Sequence, residues 1–142
     1  MRLVLPPVLL LTAALVSACS DDDGGETPEP AAEASATELA GTGEPALRKV
    51  VQAYSDAVLT GDGATAHALL SERCQEILPA EGFIPVVEEA GERYGSALEF
   101  TSYEVGIQGK QAFVTYTYEL SDLDVDQEPW VIEDDRWRQD DC

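Results

Sequence analysis

At Ala97 the apolar pattern of this chain changes period, and that change constrains the fold more than any other feature. Before it, apolar residues recur every three or four positions. Leu47, Val50, Val51, Tyr54 and Val58 share one face of a helix that begins near Pro45 and stops at Gly61. Asp62 suits the N-cap of a second helix, whose inward face holds Ala66, Leu69, Leu70, Cys74 and Ile77 and which ends at Pro79. A third helix follows Gly82, with Pro85 in its first turn and Phe83, Val86, Val87, Ala90 and Tyr94 on one side. Gly95 closes it.

After Ala97 the period is two. A turn at Gly109-Lys110 pairs Ile107 with Ala112, Val105 with Val114, Tyr103 with Tyr116 and Thr101 with Tyr118. Glu104, Ser102, Thr115 and Thr117 then share the other face, so apolar meets apolar and polar meets polar. Phe100 and Phe113 fall on that polar face, which implies that it is partly covered. A second hairpin turns at Asp134-Asp135. It sets Ile132 opposite Trp137, puts Trp130 on the same face, and leaves Glu133 facing Arg136 on the solvent side. The expectation is an α+β domain: three N-terminal helices packed on a curved antiparallel sheet of about four strands. This layout resembles the nuclear transport factor 2-like superfamily, and in particular short lipoproteins of Gram-positive bacteria. The similar parts are Gly61-Asp62-Gly63, Cys74 late in the second helix, and the ending from Glu133 to Arg138 with its following cysteine. The resemblance implies a cone-shaped fold with a pocket on the inner sheet face. That superfamily includes isomerases, cyclases, dehydratases and non-catalytic binders, so the fold alone selects no function.

The N-terminus carries a different message. Arg2 precedes an apolar run from Leu3 to Val16, and Ser17-Ala18 stand before Cys19. A positive start, an apolar middle and small residues make a secretory signal. The run is short of the about 20 residues that span a bilayer, and Pro6-Pro7 interrupts it. A cysteine directly after the small residues resembles the lipobox of bacterial lipoproteins, although Val16 stands where leucine is commoner. The resemblance implies that residues 1–18 are removed and that Cys19 carries a diacylglyceryl group on the extracytoplasmic face of the cell membrane. Residues 19–44 read as the lipidated N-terminus and a disordered acidic tether, with one large apolar residue, Leu39, and no basic side chain. As a coil it spans about 25–30 Å. Residues 45–142 form the single folded domain.

The chain holds 28 acidic and 8 basic side chains, a formal net charge of −20. Loss of Arg2 with the leader makes the mature chain more acidic still. Such a surface repels phosphate backbones and anionic headgroups, which excludes nucleic acid as a partner and leaves the lipid on Cys19 as the membrane contact. With Cys19 lipidated, Cys74 and Cys142 remain in an oxidising compartment, where a disulfide is the natural pairing. Two free thiols are the alternative. A metal site has little support, since His67 is the sole histidine and no Cys-x-x-Cys occurs.

Tyr103, Tyr116 and Tyr118 are expected on the inner sheet face, with Tyr54 and Tyr94 opposing them from the helices. They are candidates to line a pocket for a small hydrophobic or aromatic ligand. The competing reading is a filled core with hydroxyls at its rim. His67, at a helix edge, is better read as a surface residue than as a base. Asp56 and Glu104 fall on solvent faces, which argues against catalysis. Asp122, Asp124, Asp126 and Glu128, with Glu133 at position twelve, imitate a calcium loop. However, Gln127 stands where such a loop needs glycine, and the flanks are strands. The run therefore reads as an acidic connection between strands. No catalytic residue, metal or cofactor is assigned. The expected function is a non-enzymatic, membrane-tethered module that binds a ligand or an envelope protein. The second class is a small enzyme or ligand carrier of the isomerase or cyclase type. A buried carboxylate or histidine facing the tyrosines would distinguish the two.

Overall fold

The computed structural model describes residues 39–142. Cys19, the leader and most of the acidic tether lie outside the described residues. Four helices precede four strands: α1 (Glu44–Thr60), α2 (Gly63–Ala68), α3 (Glu72–Ile77), α4 (Ala80–Tyr94), β1 (Ser102–Gln108), β2 (Gln111–Thr117), β3 (Val125–Glu133) and β4 (Arg136–Gln139). A short 3-10 turn, Ser121–Leu123, links β2 to β3. The strands form one antiparallel sheet in chain order. Among the described residues no helix is long and apolar enough to cross a membrane.

Among the described residues the helix count is four and not three, because the expected second helix breaks at Leu69–Ser71. Ser71 is a favourable N-cap, and its hydroxyl accepts from the Cys74 N–H to start α3. The backbone groups freed by the break go to β4. The Ser71 N–H donates to the Gln139 carbonyl at 2.7 Å, and the Gln139 N–H donates to the Leu69 carbonyl at 2.9 Å. Ile77, expected inward, is consequently exposed. α4 also starts earlier than Gly82, directly after Pro79, which leaves Pro85 inside the helix.

α1 lies on the inner sheet face. Leu47, Val50, Val51 and Leu59 meet Ala112, Val114, Trp130 and Trp137 in one buried cluster. α4 packs behind α1 and α2 around Ala57, Ala66 and Val87. The crossing of α1 and α4 is close enough to need glycine. A Cβ on Gly91 would stand 2.4 Å from the Gly61 backbone, and Gly61 itself ends α1 at φ 82°.

The β1–β2 register sets Tyr103 opposite Tyr116, Val105 opposite Val114 and Ile107 opposite Ala112, as the alternation predicts. β3 and β4 pair Ile132 with Trp137 and Glu133 with Arg136, through a turn in which Asp134 and Asp135 both have positive φ. Glu133 also reaches the start of α3, where its carboxylate accepts from the Glu72 N–H. Phe100 departs from the expectation. It precedes β1, escapes the strand alternation, and packs on Tyr116 and Tyr118. Ahead of α1, Leu39 packs on the core and Gly41 bridges Arg136, so β4 is covered along its outer edge by Gly41 and Leu70.

Candidate functional site

One irregularity in β3 builds the site. Val114 pairs with Glu128, yet Tyr116 pairs with Val125, so β3 carries one residue more than β2 over this stretch. Gln127 takes the strain at φ 55°, and its N–H and side-chain amide both donate to the Thr115 hydroxyl. In a regular strand, residues 125 and 128 would face opposite sides. The bulge turns both inward. Glu128 thereby joins the face of Trp130 while Asp124 and Asp126 stay exposed.

Glu128 is only 6 % exposed. Trp130 Nε1 donates to its Oε2 at 2.8 Å, the Tyr116 hydroxyl to the same oxygen at 3.3 Å, and Gln139 Nε2 to its Oε1 at 3.4 Å. Burial pushes the carboxyl above the ordinary glutamate range, and the three donors pull it only part of the way back. Asp141 raises it further.

The carboxylate borders a cavity of about 210 Å³ between α1 and the sheet, lined by Tyr54, Ser55, Tyr116, Tyr118, Val125 and Glu128 among others. The Ser55 and Tyr118 hydroxyls lie 2.5 Å apart. Burial raises the tyrosines. For Tyr54 and Tyr116 the neighbouring Glu128 adds to that effect, and for Tyr118 the bond to Ser55 opposes it. All three therefore stay neutral hydroxyls at physiological pH.

Three of the five expected pocket tyrosines thus meet at the cavity, and two do not. Tyr103 stacks on Phe100 at 6.0 Å, and the Arg48 guanidinium sits 4.7 Å from its ring centre. Burial pushes its hydroxyl up to about 12, against the opposing pull of Arg48. Tyr94 borders a separate surface depression with Val86 and Arg93 on α4. Tyr94 packs half-buried against the main core, as its helix face predicts, but it does not line the cavity.

His67 lies away from the cavity. Its Nε2 contacts the Leu78 carbonyl at 2.9 Å, and its ring leans on Phe83. Asp56 accepts from Gln52, and Glu104 is exposed. The acidic run does not converge. Asp124 accepts from the Tyr118 N–H, Asp126 from Thr115 and Glu133 from Glu72, while Glu128 points inward. Among the described residues no three His, Cys, Asp or Glu side chains gather as a metal site.

Cys74 and Cys142 form a disulfide with Cα atoms 5.6 Å apart, across a sequence separation of 68. Asp140 reinforces the junction, accepting from the Ser71 hydroxyl and pairing with Arg73 at 3.1 Å. The C-terminal segment that carries Gln139 to Glu128 is therefore pinned to α3. Glu128 is the residue that sequence reasoning missed. Its signal was present: it stands two before Trp130 and four before Ile132, both assigned inward. Comparison with protein-family models, curated proteins and solved structures finds no match to this chain.

Proposed function

We propose that this chain is a lipoprotein of the cell envelope, held to the extracytoplasmic face of the membrane by a diacylglyceryl group on Cys19, and that its folded domain binds a small ligand of largely apolar body. The order of helices and then antiparallel sheet supports placing the domain with the nuclear transport factor 2-like superfamily. The observation that carries the binding reading is the buried Glu128 carboxylate set among Tyr54, Tyr116 and Tyr118 at a cavity. A packed core has no use for a carboxylate that meets no cation among the described residues, whereas a ligand site does. Native mass spectrometry of the full chain, released from detergent after purification from its own envelope, tests it. Retention of a small molecule that Glu128→Leu abolishes is the expected result. A wild-type chain that retains none, and whose melting temperature no apolar fragment raises, refutes it.

The anchor has its own test. Cys19→Ala should move the protein from the detergent phase to the aqueous phase or leave it as precursor, because two acyl chains hold stably where one does not. A mature wild-type chain found wholly in the aqueous phase overturns the tether. A second reading, a small enzyme of the isomerase or cyclase type, is favoured by the same carboxylate, since burial raises its basicity toward that of a general base. Turnover of such a substrate that Glu128→Gln abolishes would select it over simple binding.

A further inference from the structure

Glu128 is a buried carboxylate with three hydrogen-bond donors and no cation. The ion pair among the described residues, Arg73–Asp140, lies at the disulfide junction, and Arg48 is engaged at Tyr103. The ionisable groups that act on Glu128 are tyrosines and Asp141, none of them positive. A carboxylate offers about four acceptor positions, and Trp130, Tyr116 and Gln139 use three. One acceptor position is left unused, and Glu128 borders the cavity. Apart from the Ser55 hydroxyl, the other side chains of the wall are aromatic or aliphatic. Tyrosine rings attract cations through their negative faces, and the attraction grows when water is excluded.

The identity of the cation follows from what the wall lacks. A primary ammonium brings three N–H donors, each needing an acceptor once desolvated. Beyond Glu128 the side-chain acceptors at the wall are neutral hydroxyls, those of Ser55 and the tyrosines, of which Ser55 and Tyr118 bond each other and Tyr116 donates to Glu128. A quaternary ammonium carries no such donors and spreads its charge over its alkyl groups. A space of about 210 Å³ is smaller than a drug-sized pocket, which limits the apolar body to a few carbons or one ring. The net charge of −20 enriches cations around the domain.

We infer that the cavity between α1 and the sheet is a site for a small quaternary ammonium compound, its charge held by Glu128 and the rings of Tyr54, Tyr116 and Tyr118. This rests on the ligand-binding reading of the same cavity and adds the chemical class. It is tested on the full chain in maltoside micelles by tryptophan emission, which Trp130 makes sensitive to the site because its indole N–H is bonded to Glu128. The probes are benzyltrimethylammonium and its uncharged carbon counterpart neopentylbenzene, each corrected for a micelle-only titration.

The expected result is saturable binding of the cation, at least tenfold tighter than of the neutral isostere, with that preference lost in Glu128→Gln. Tyr54→Leu should weaken the cation more than the isostere. Displacement of the probe by choline, but not by phosphatidylcholine vesicles, assigns a free solute. Displacement by both assigns a lipid headgroup. Either supports the site. Equal binding of both probes, or a preference that survives Glu128→Gln, overturns the cation assignment while leaving a binding cavity. Binding of neither probe, with an unchanged melting temperature, overturns both.

Discussion

Replacing Glu128 by glutamine removes a charge and almost nothing else, so its effect on stability can be worked from the geometry. The carboxylate loses water on folding, at an effective cost of several kcal/mol for an ion so deeply buried. It recovers part of that through bonds from Trp130, Tyr116 and Gln139. Each charge-assisted bond exceeds its neutral counterpart by about 1 kcal/mol. The amide oxygen of a glutamine can keep the two donors that share Oε2. Its amide nitrogen would face Gln139 Nε2, but the Gln139 Oε1 is buried without a partner and can turn over to meet it. The charge cost therefore exceeds the bonds lost, in agreement with the upward shift of the carboxyl. Glu128→Gln should stabilise the ligand-free domain by about 1–2 kcal/mol at neutral pH, which for a domain of this size raises Tm by about 4–16 °C.

The sign of the pH dependence is fixed by the same shift. Glu128 binds its proton more tightly folded than unfolded, so its contribution to stability is full below the ordinary glutamate pKa. It is lost as pH rises through the raised folded value. The glutamine variant has no such loss. The difference in Tm between variant and wild type should thus grow from acid to neutral pH. The groups that face Glu128 do not mask this: Tyr54, Tyr116 and Tyr118 stay neutral throughout, and Asp141 is common to both proteins. Calorimetry from pH 4 to 8 reads it directly. A variant less stable at pH 7, or a difference flat across that range, would refute a buried, desolvated Glu128.

Two further perturbations test the frame that holds the site. Reducing the Cys74–Cys142 bridge frees a loop of 68 residues, worth about 4 kcal/mol of chain entropy, against a total stability on the order of 5–15 kcal/mol. Tm should fall by about 16–30 °C with reductant, and a shift under a few degrees would contradict it. Gly91→Ala drives a Cβ into the Gly61 backbone at the crossing of α1 and α4, and urea unfolding should register a loss of about 1–3 kcal/mol despite alanine's better helix propensity.

Much of the fold was legible because its signals are local. The period change near Ala97 separates helices from strands, and the turns at Gly109 and Asp134-Asp135 set both hairpin registers. The break at Ser71 was harder to read. An apolar face continues across it, and the cause is the backbone of β4, which lies far along the chain. Tyr94 meets the main core but not the cavity, because periodicity names a face and not the point along the core that it reaches. Glu128 was hidden by alternation itself. Asp122, Asp124 and Asp126 assign every second position to solvent, and in the sequence the run of acids continues to 128. The bulge at Gln127 breaks that parity, and nothing in the run of side chains announces it except Trp130 beyond.

The same bulge makes the lining of the cavity a matter of counting residues. Downstream of it, Trp130 and Trp137 anchor the strand, so a β3 with no bulge and Gln127 paired in the ladder would leave Glu128 in place and slide the upstream half by one step. Asp126, not Val125, would then stand opposite Tyr116, and a second carboxylate would enter the apolar wall. A change of parity between Val125 and Glu128 is thus a coarser and stronger control on what this cavity accepts than any substitution within it. A deletion of Gln127 alone restores regular pairing and keeps that parity, with Val125 still opposite Tyr116.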